Sequence, residues 1–434
     1  MSSKLALNGG PASVTHDARD MFKWPIITQE DEQAVLEVLR AGRMSGSEVT
    51  EKFTAAFADW IGRRHAIAYP NGTESLRSAM WACGLAAGDE IICPTMTYWA
   101  SCLPALTLGC SVHFADIERD TLCSDPADIE HRIGPRTRAL VIVHYAGYPC
   151  DMDRIMPIVQ RHNLMLIEDI SHAHGGYYKG RKVGTFGHVA GMSMMSGKSF
   201  SIGEGGMAVM DDRVIYERCL AYGHYERTGA PTRWTAKKSD ITIDELLPYR
   251  GLPLGGYKHR LNQTCSAMGL VQLKYFDARI TEYQRARNRF WDLLEGVPGI
   301  RAHRVPSGEG SSMGGWYTPR GIYRAEELGG LTCARYCEAV QAEFPDGFKI
   351  SPGTNFPLHL HPVFHTADIF RQGQPTVLAF GQRDVRQGPG SLPVAENTDD
   401  TVFSVPAFKH DRPEVIAEYA AAYRKVSENY RELL

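Results

Sequence analysis

Between residues 89 and 167 short apolar runs alternate with amphipathic stretches. The runs at 90–94, 111–116, 139–143 and 164–167 have the length of buried strands, and the stretches between them (99–108, 125–133, 153–162) have the length of helices. Strands separated by helices in this way predict a mostly parallel α/β sheet. Ligands of such sheets sit beyond the carboxyl ends of the strands, where Tyr98, His144, Asp169 and His172 fall.

The flanking pattern extends this reading. Residues 1–25 read as an arm, because Gly9-Gly10-Pro11 and Trp24-Pro25 interrupt any regular element. Thr28 caps a helix with acids in its first turn and Val35, Leu36 and Leu39 on its apolar face. Phe53, Phe57, Trp60 and Ile61 mark a second helix before a strand at 65–69. Apolar runs at 189–195 and 207–210 enclose a Gly/Ser loop, and 211–222 reads as a helix. Residues 223–257 form a long irregular excursion, a length that usually carries function or wraps a partner. A long helix follows from 263 to about 294, then mixed elements: a strand at 321–323, a helix at 333–343, a Pro/His-rich loop at 357–362 and a terminal helix at 412–434. The expected division is an arm (1–25), a large domain (26–284) and a smaller C-terminal α+β domain (285–434), since one core stops growing at roughly 250–300 residues.

Composition adds exclusions. With 43% hydrophobic and 22% charged residues and a net charge of −3, neither nucleic acid nor an anionic membrane is an expected partner. The first ten residues lack the apolar segment of a secretory signal, and no run approaches the ~20 apolar residues of a membrane span, so a cytoplasmic protein is expected. The ten cysteines are scattered without any Cys-x-x-Cys pair, which fits reduced, buried thiols. His174, His359 and His361 have no metal-like companions and read as solvated or hydrogen-bonding histidines.

The candidate chemistry centres on Lys198. It lies where an apolar run gives way to Ser-Gly-Lys-Ser-Phe-Ser-Ile-Gly-Glu-Gly-Gly (196–206), held yet reachable. Lysine forms imines with aldehyde cofactors, and pyridoxal phosphate enzymes pair it with an acid facing the ring nitrogen. The run at 164–167 ends in Glu168-Asp169, and alternation along a strand gives these two acids opposite faces. Asn71-Gly72-Thr73 opens a helix directly after a strand, where free N–H groups and the helix dipole form an anion site.

Taken together, Asn71-Gly72-Thr73, Pro94-Thr95-Met96-Thr97-Tyr98, Glu168-Asp169-x-x-His172-Ala173-His174-Gly175 and Ser193-x-x-x-x-Lys198-x-x-x-x-Gly203-Glu204-Gly205-Gly206 resemble the pyridoxal-phosphate sugar and cyclitol aminotransferases of DegT/StrS type, a branch of the aspartate-aminotransferase fold (fold type I). The resemblance runs from about residue 24 to 273 and is weaker afterwards. It implies that Lys198 is the Schiff-base lysine and proton carrier, that Asp169 faces the pyridinium nitrogen, and that Tyr98 stacks on the ring. Ser193 with the backbone of Gly72 and Thr73 would hold the phosphate. His172 stands where many members have glutamine, beside the phenolic oxygen, and looks like the cyclitol-type members. Lys258, in Gly256-Tyr257-Lys258-His259-Arg260, replaces an asparagine that reaches the neighbouring subunit's phosphate. The implied protein is a homodimer with shared active sites that moves an amino group from glutamate or glutamine to a keto-sugar or keto-cyclitol, through pyridoxal 5'-phosphate and its pyridoxamine form. Two other readings compete with it. One is a pyridoxamine-phosphate sugar dehydratase, whose relatives lack the lysine. The other is a non-catalytic regulator that keeps the pocket.

Overall fold

The computed structural model describes residues 4–228, 239–344 and 349–434. Part of the predicted excursion at 223–257 therefore lies outside the described residues. Helices α1 (Gln29–Arg40) and α2 (Glu48–Ile61) precede β1 (His65–Tyr69) and α3 (Gly72–Ala82). Then come β2 (Glu90–Pro94), α4 (Leu103–Leu106), β3 (Ser111–Ala115), α5 (Pro126–Arg132), β4 (Thr137–Val143), α6 (Met152–Arg161) and β5 (Met165–Asp169). A small hairpin of β6 (Tyr177–Tyr178) and β7 (Arg181–Lys182) leads to β8 (Val189–Ser193), β9 (Gly206–Met210), α7 (Arg213–Gly223) and the long α8 (Gln263–Leu293). Strands β10 (Ile300–Ala302), β11 (Arg320–Tyr323) and β12 (Val402–Ser404), helix α9 (Cys333–Ala342) and a C-terminal helix Pro413–Glu428 complete the regular elements used below.

Seven strands form one sheet in the order β1-β9-β8-β5-β4-β2-β3. β9 runs antiparallel to both its neighbours, and every other pairing is parallel, as the alternating pattern predicts. The strand runs are apolar throughout because helices cover both faces: Ile67, Ile91, Val141 and Ile167 pack with α3 and α7, whereas Ile92, Leu140, Ile142 and Leu166 pack with α5 and α6. A three-stranded antiparallel sheet, β10-β11-β12, gives Ile300, Tyr323 and Phe403 to a second core with α9, the C-terminal helix and the second half of α8, while Ile322 and Val402 pack with β4 and β5 of the large sheet. Leu5, Val14, Ala18 and Met21 of the N-terminal arm are buried in that same core.

Side-chain caps explain where the helices begin. Thr28 and Asp31 form a reciprocal capping box, Asn71 accepts from Glu74 N–H at 2.9 Å, and Asp212 accepts from Val214 and Ile215.

Three expectations require correction. The helix expected at 99–108 is a 3-10 turn, Trp99–Ser101, followed by the short α4, since Pro104 lacks the N–H that a continuous helix needs there. In α1 the inward face is Asp31, Val35 and Val38, while Leu36 and Leu39 are 40% and 46% exposed. The buried Asp31 accepts from Gln272 Nε2 of α8 at 2.8 Å, so the face turned toward α8 carries a polar contact. His174 is fully buried and not solvated, and burial pushes its pKa down to about 3. His359 does hydrogen-bond, to Thr95 Oγ1 at 2.8 Å and Glu396 Oε1 at 2.9 Å, and His361 is exposed. All ten cysteines are free, and eight of them are buried.

Candidate active site

The turn after β1 and the end of β8 lie together because β9 joins these strands, and β5 pairs directly with β8. Gly206 of β9 pairs with both Tyr69 and Ser193, which brings the turn after β1 against the end of β8. The approach is close enough to demand glycine. A Cβ on Gly206 would lie 2.3 Å from the Asn71 carbonyl oxygen, and one on Gly72 would lie 2.6 Å from the Ser193 Cβ. The result is a cup made by Gly72 and Thr73 at the N-terminus of α3, with Ser193 beside them, opening into a cavity of about 430 Å³.

Asp169 ends β5 inside this cavity and is almost wholly buried. Its Oδ2 accepts from Ser101 Oγ at 2.7 Å and its Oδ1 from Ser171 N–H at 2.9 Å. Thr97 Oγ1 lies 2.8 Å from Ser101 Oγ and so belongs to the same network. These two donors fix the position of the carboxylate, and among the described residues no cation lies within ion-pair distance of it. Glu168 points to the other face, as alternation predicts. It accepts from the N–H groups of Gly184, Phe186 and Gly187 and lies 3.1 Å from His144 Nε2. His144, expected near a ligand at a strand end, is buried in that hydrogen bond, its Nδ1 accepting from Cys150 N–H at 3.0 Å, and does not line the cavity.

Lys198 also lines the cavity and is 7% exposed. Its main chain is pinned at both ends: its N–H donates to Met195 O, and its carbonyl accepts from Trp24 Nε1, each at 2.8 Å. Burial lowers the side-chain pKa to about 8, against the pull of the Asp169 carboxylate, which favours the ammonium. The Nζ stands 3.9 Å from the centroid of the Tyr317 ring. His172 faces the same ring at 4.6 Å, and burial together with the Lys198 charge holds its pKa well below the usual imidazole range. Its Nδ1 accepts from Ala146 N–H at 3.4 Å, which leaves Nε2 as the protonated donor.

Of the remaining candidates, Tyr98 lines the cavity but is 51% exposed, its ring 4.8 Å from Trp99. Lys258 is exposed and lies outside this chain's cavity lining. The structure thus gathers Gly72, Thr73, Tyr98, Asp169, His172, Ser193 and Lys198 in one cavity and leaves Lys258 apart.

The sequence reading missed Ser101, Ser171, Tyr317 and Arg320. Tyr317 arrives on the loop Gly314-Gly315-Trp316-Tyr317, held by the buried Arg287 of α8, whose Nη1 donates to the carbonyls of Gly315 and Trp316 at 3.3 and 2.6 Å. A Gly-Gly pair before two aromatics and a proline was the available signal, but nothing in its local pattern pointed toward Lys198.

These parts fit pyridoxal phosphate. A rim of backbone N–H groups that admits no Cβ suits its phosphate, a buried carboxylate suits its ring nitrogen, and an amine with a lowered pKa suits its aldehyde. No group of three or more metal-binding side chains occurs among the described residues.

Residues 25–417 match the profile of the DegT/DnrJ/EryC1/StrS aminotransferase family. The chain is 33% identical over 381 residues to L-glutamine:2-deoxy-scyllo-inosose aminotransferase from Streptomyces kanamyceticus, covering 85% of this chain and 84% of that one. It is 31% identical over 450 residues to L-glutamine:scyllo-inosose aminotransferase from Streptomyces griseus, covering 100% of both. Among solved structures, an aminotransferase from Psychrobacter cryohalolentis superposes with a TM-score of 0.79 at 26% identity, covering 94% of this chain and 99% of that one.

Proposed function

Because the chain belongs to the DegT/DnrJ/EryC1/StrS aminotransferase family, whose members depend on pyridoxal phosphate, we propose that it transfers the amino group of glutamine to a keto-cyclitol of the inosose class. The observation that carries the catalytic part is the buried Lys198 sharing a cavity with Asp169. Full-length similarity to two inosose aminotransferases supports the choice of donor and acceptor.

When bound, the cofactor supplies an electron sink for the carbon that loses its proton. The chain's own groups do the rest. Asp169 would hold the ring nitrogen in its protonated form, because a carboxylate favours the charged form. With the cofactor in place, the Lys198 Nζ, which lines the cavity, would be the base that accepts the proton of the substrate carbon and hands it back within the same site. His172, kept neutral, serves as a donor through Nε2. Gly72, Thr73 and Ser193 would hold the phosphate, and Tyr98 would lie beside the ring. The presence of Lys198 argues against the dehydratase reading.

We also propose a homodimer in which Lys258 serves the neighbouring site. Its exposure away from its own cavity supports this, as do the uncovered Leu36, Leu39, Tyr249, Leu252 and Leu254. The division at residue 284 stays a proposal. Two cores favour it, although α8 runs unbroken across that position, and Leu358, Phe364, Val377 and Leu392 pack in the large sheet's core.

The test is a two-step assay. Glutamine should bleach the cofactor absorbance, and scyllo-inosose or 2-deoxy-scyllo-inosose should restore it with formation of the amine. Bleaching by glutamine with no recovery by either ketone, but recovery by a nucleotide-linked keto-sugar, would overturn the acceptor assignment.

A further inference from the structure

Among the described residues, two permanently or potentially cationic side chains besides the neutral His172 line the cavity: Lys198 and Arg320. Lys198 is committed to the cofactor. Arg320 opens β11, opposite Ser404 of β12, and its Nε is shut off from solvent without a hydrogen-bond partner. No carboxylate among the described residues forms an ion pair with its guanidinium. Asp169 is occupied by Ser101 and Ser171, and Glu204, the other acid of the lining, stands exposed and unpaired with it. The guanidinium nevertheless lines the same cavity as His172, Lys198 and Tyr317. Its charge disfavours the protonated form of His172, and it favours ionisation of Tyr317, whose ring lies against Lys198 Nζ.

A partly desolvated guanidinium without an anion is unfavourable, and its planar fork matches a carboxylate with two parallel hydrogen bonds. A keto-cyclitol is uncharged and cannot supply that anion. An amino-acid donor always does. Resting on the aminotransfer reading above, we propose that Arg320 receives the α-carboxylate of the amino donor and is the residue that recognises the donor. One cavity then accommodates two unlike substrates in turn: the donor through charge at Arg320, the acceptor through hydroxyl and amide groups such as those of Thr318, Thr354 and Asn355.

The test uses the holoenzyme and two variants, Arg320→Gln and Arg320→Lys, with melting curves to establish that both fold. Calorimetric binding of glutaramate, which keeps the carboxylate and lacks the amine, reads the site without turnover. Arg320→Gln should weaken that binding roughly 30-fold or more, with Arg320→Lys intermediate. The donor half-reaction should show a matching rise in KM with kcat little changed, and the acceptor half-reaction should change by no more than a few-fold. Unchanged glutaramate binding and donor KM in Arg320→Gln would overturn the proposal, as would a loss confined to the acceptor half-reaction. If glutamine reacts but no keto-cyclitol is aminated, the acceptor reading falls, while the donor measurements still decide the role of Arg320.

Discussion

Burial brings the Lys198 ammonium to about 8, and the sign of the consequence follows directly. A lysine whose pKa is depressed in the folded chain presents a neutral, nucleophilic amine above that value. Capture of pyridoxal phosphate by the cofactor-free protein, followed by absorbance, should therefore quicken as pH rises to about 8 and then level off. An ordinary lysine would keep rising toward ~10.4. Asp169 opposes burial by favouring the ammonium, so Asp169→Asn should move the midpoint to lower pH; a midpoint that stays put means the two groups do not interact. The same substitution should reduce turnover on the order of 10²–10³-fold with the fold intact, because an amide cannot keep the ring nitrogen protonated. Near-normal kcat would reduce Asp169 to a strand-end cap.

At the scale of elements, the phosphate cup depends on how closely α3 meets β8. The Gly72 position has 2.6 Å to the Ser193 Cβ and 2.8 Å to the Ser193 backbone nitrogen, so an added methyl must push a strand of the central sheet. Overpacking of this kind costs about 1–3 kcal/mol. Gly72→Ala should lower the melting temperature and weaken cofactor binding, measured by fluorescence titration, more than an alanine at the exposed Lys52 of α2 does. Equal affinity for pyridoxal phosphate in Gly72→Ala and the parent would remove Gly72 from the cup. The Gly-Thr turn was legible in the sequence as a helix start. What made it a cup was Gly206 of β9, which pairs with Tyr69 and Ser193 at once.

For the whole molecule, the proposal of shared sites makes a prediction that no single chain can test. Lys198→Ala and Lys258→Glu chains, each inactive alone, should regain part of the activity when subunits exchange, because the mixed dimer collects both lesions in one site and leaves the other intact. Demonstrated exchange without recovered activity, or an active monomer by sedimentation, would sink the idea.

The sequence by itself determined the α/β class, the strand positions and most of the residues that the fold brings into one cavity. Strand periodicity, helix caps and motif order are local properties, and the chemistry of Lys198, Asp169, Gly72, Thr73 and Ser193 is carried by motifs next to strand ends. Tertiary structure alone decided which surface of α1 turns inward: Asp31 is buried against Gln272 of α8 while Leu36 and Leu39 stay exposed. It also separated His144 from the cavity by pairing it with Glu168, and delivered Tyr317 and Arg320 from more than a hundred residues beyond Lys198. Those outcomes depend on partners distant in the chain, whose desolvation and hydrogen bonding are settled only when helix, sheet and loop are packed together.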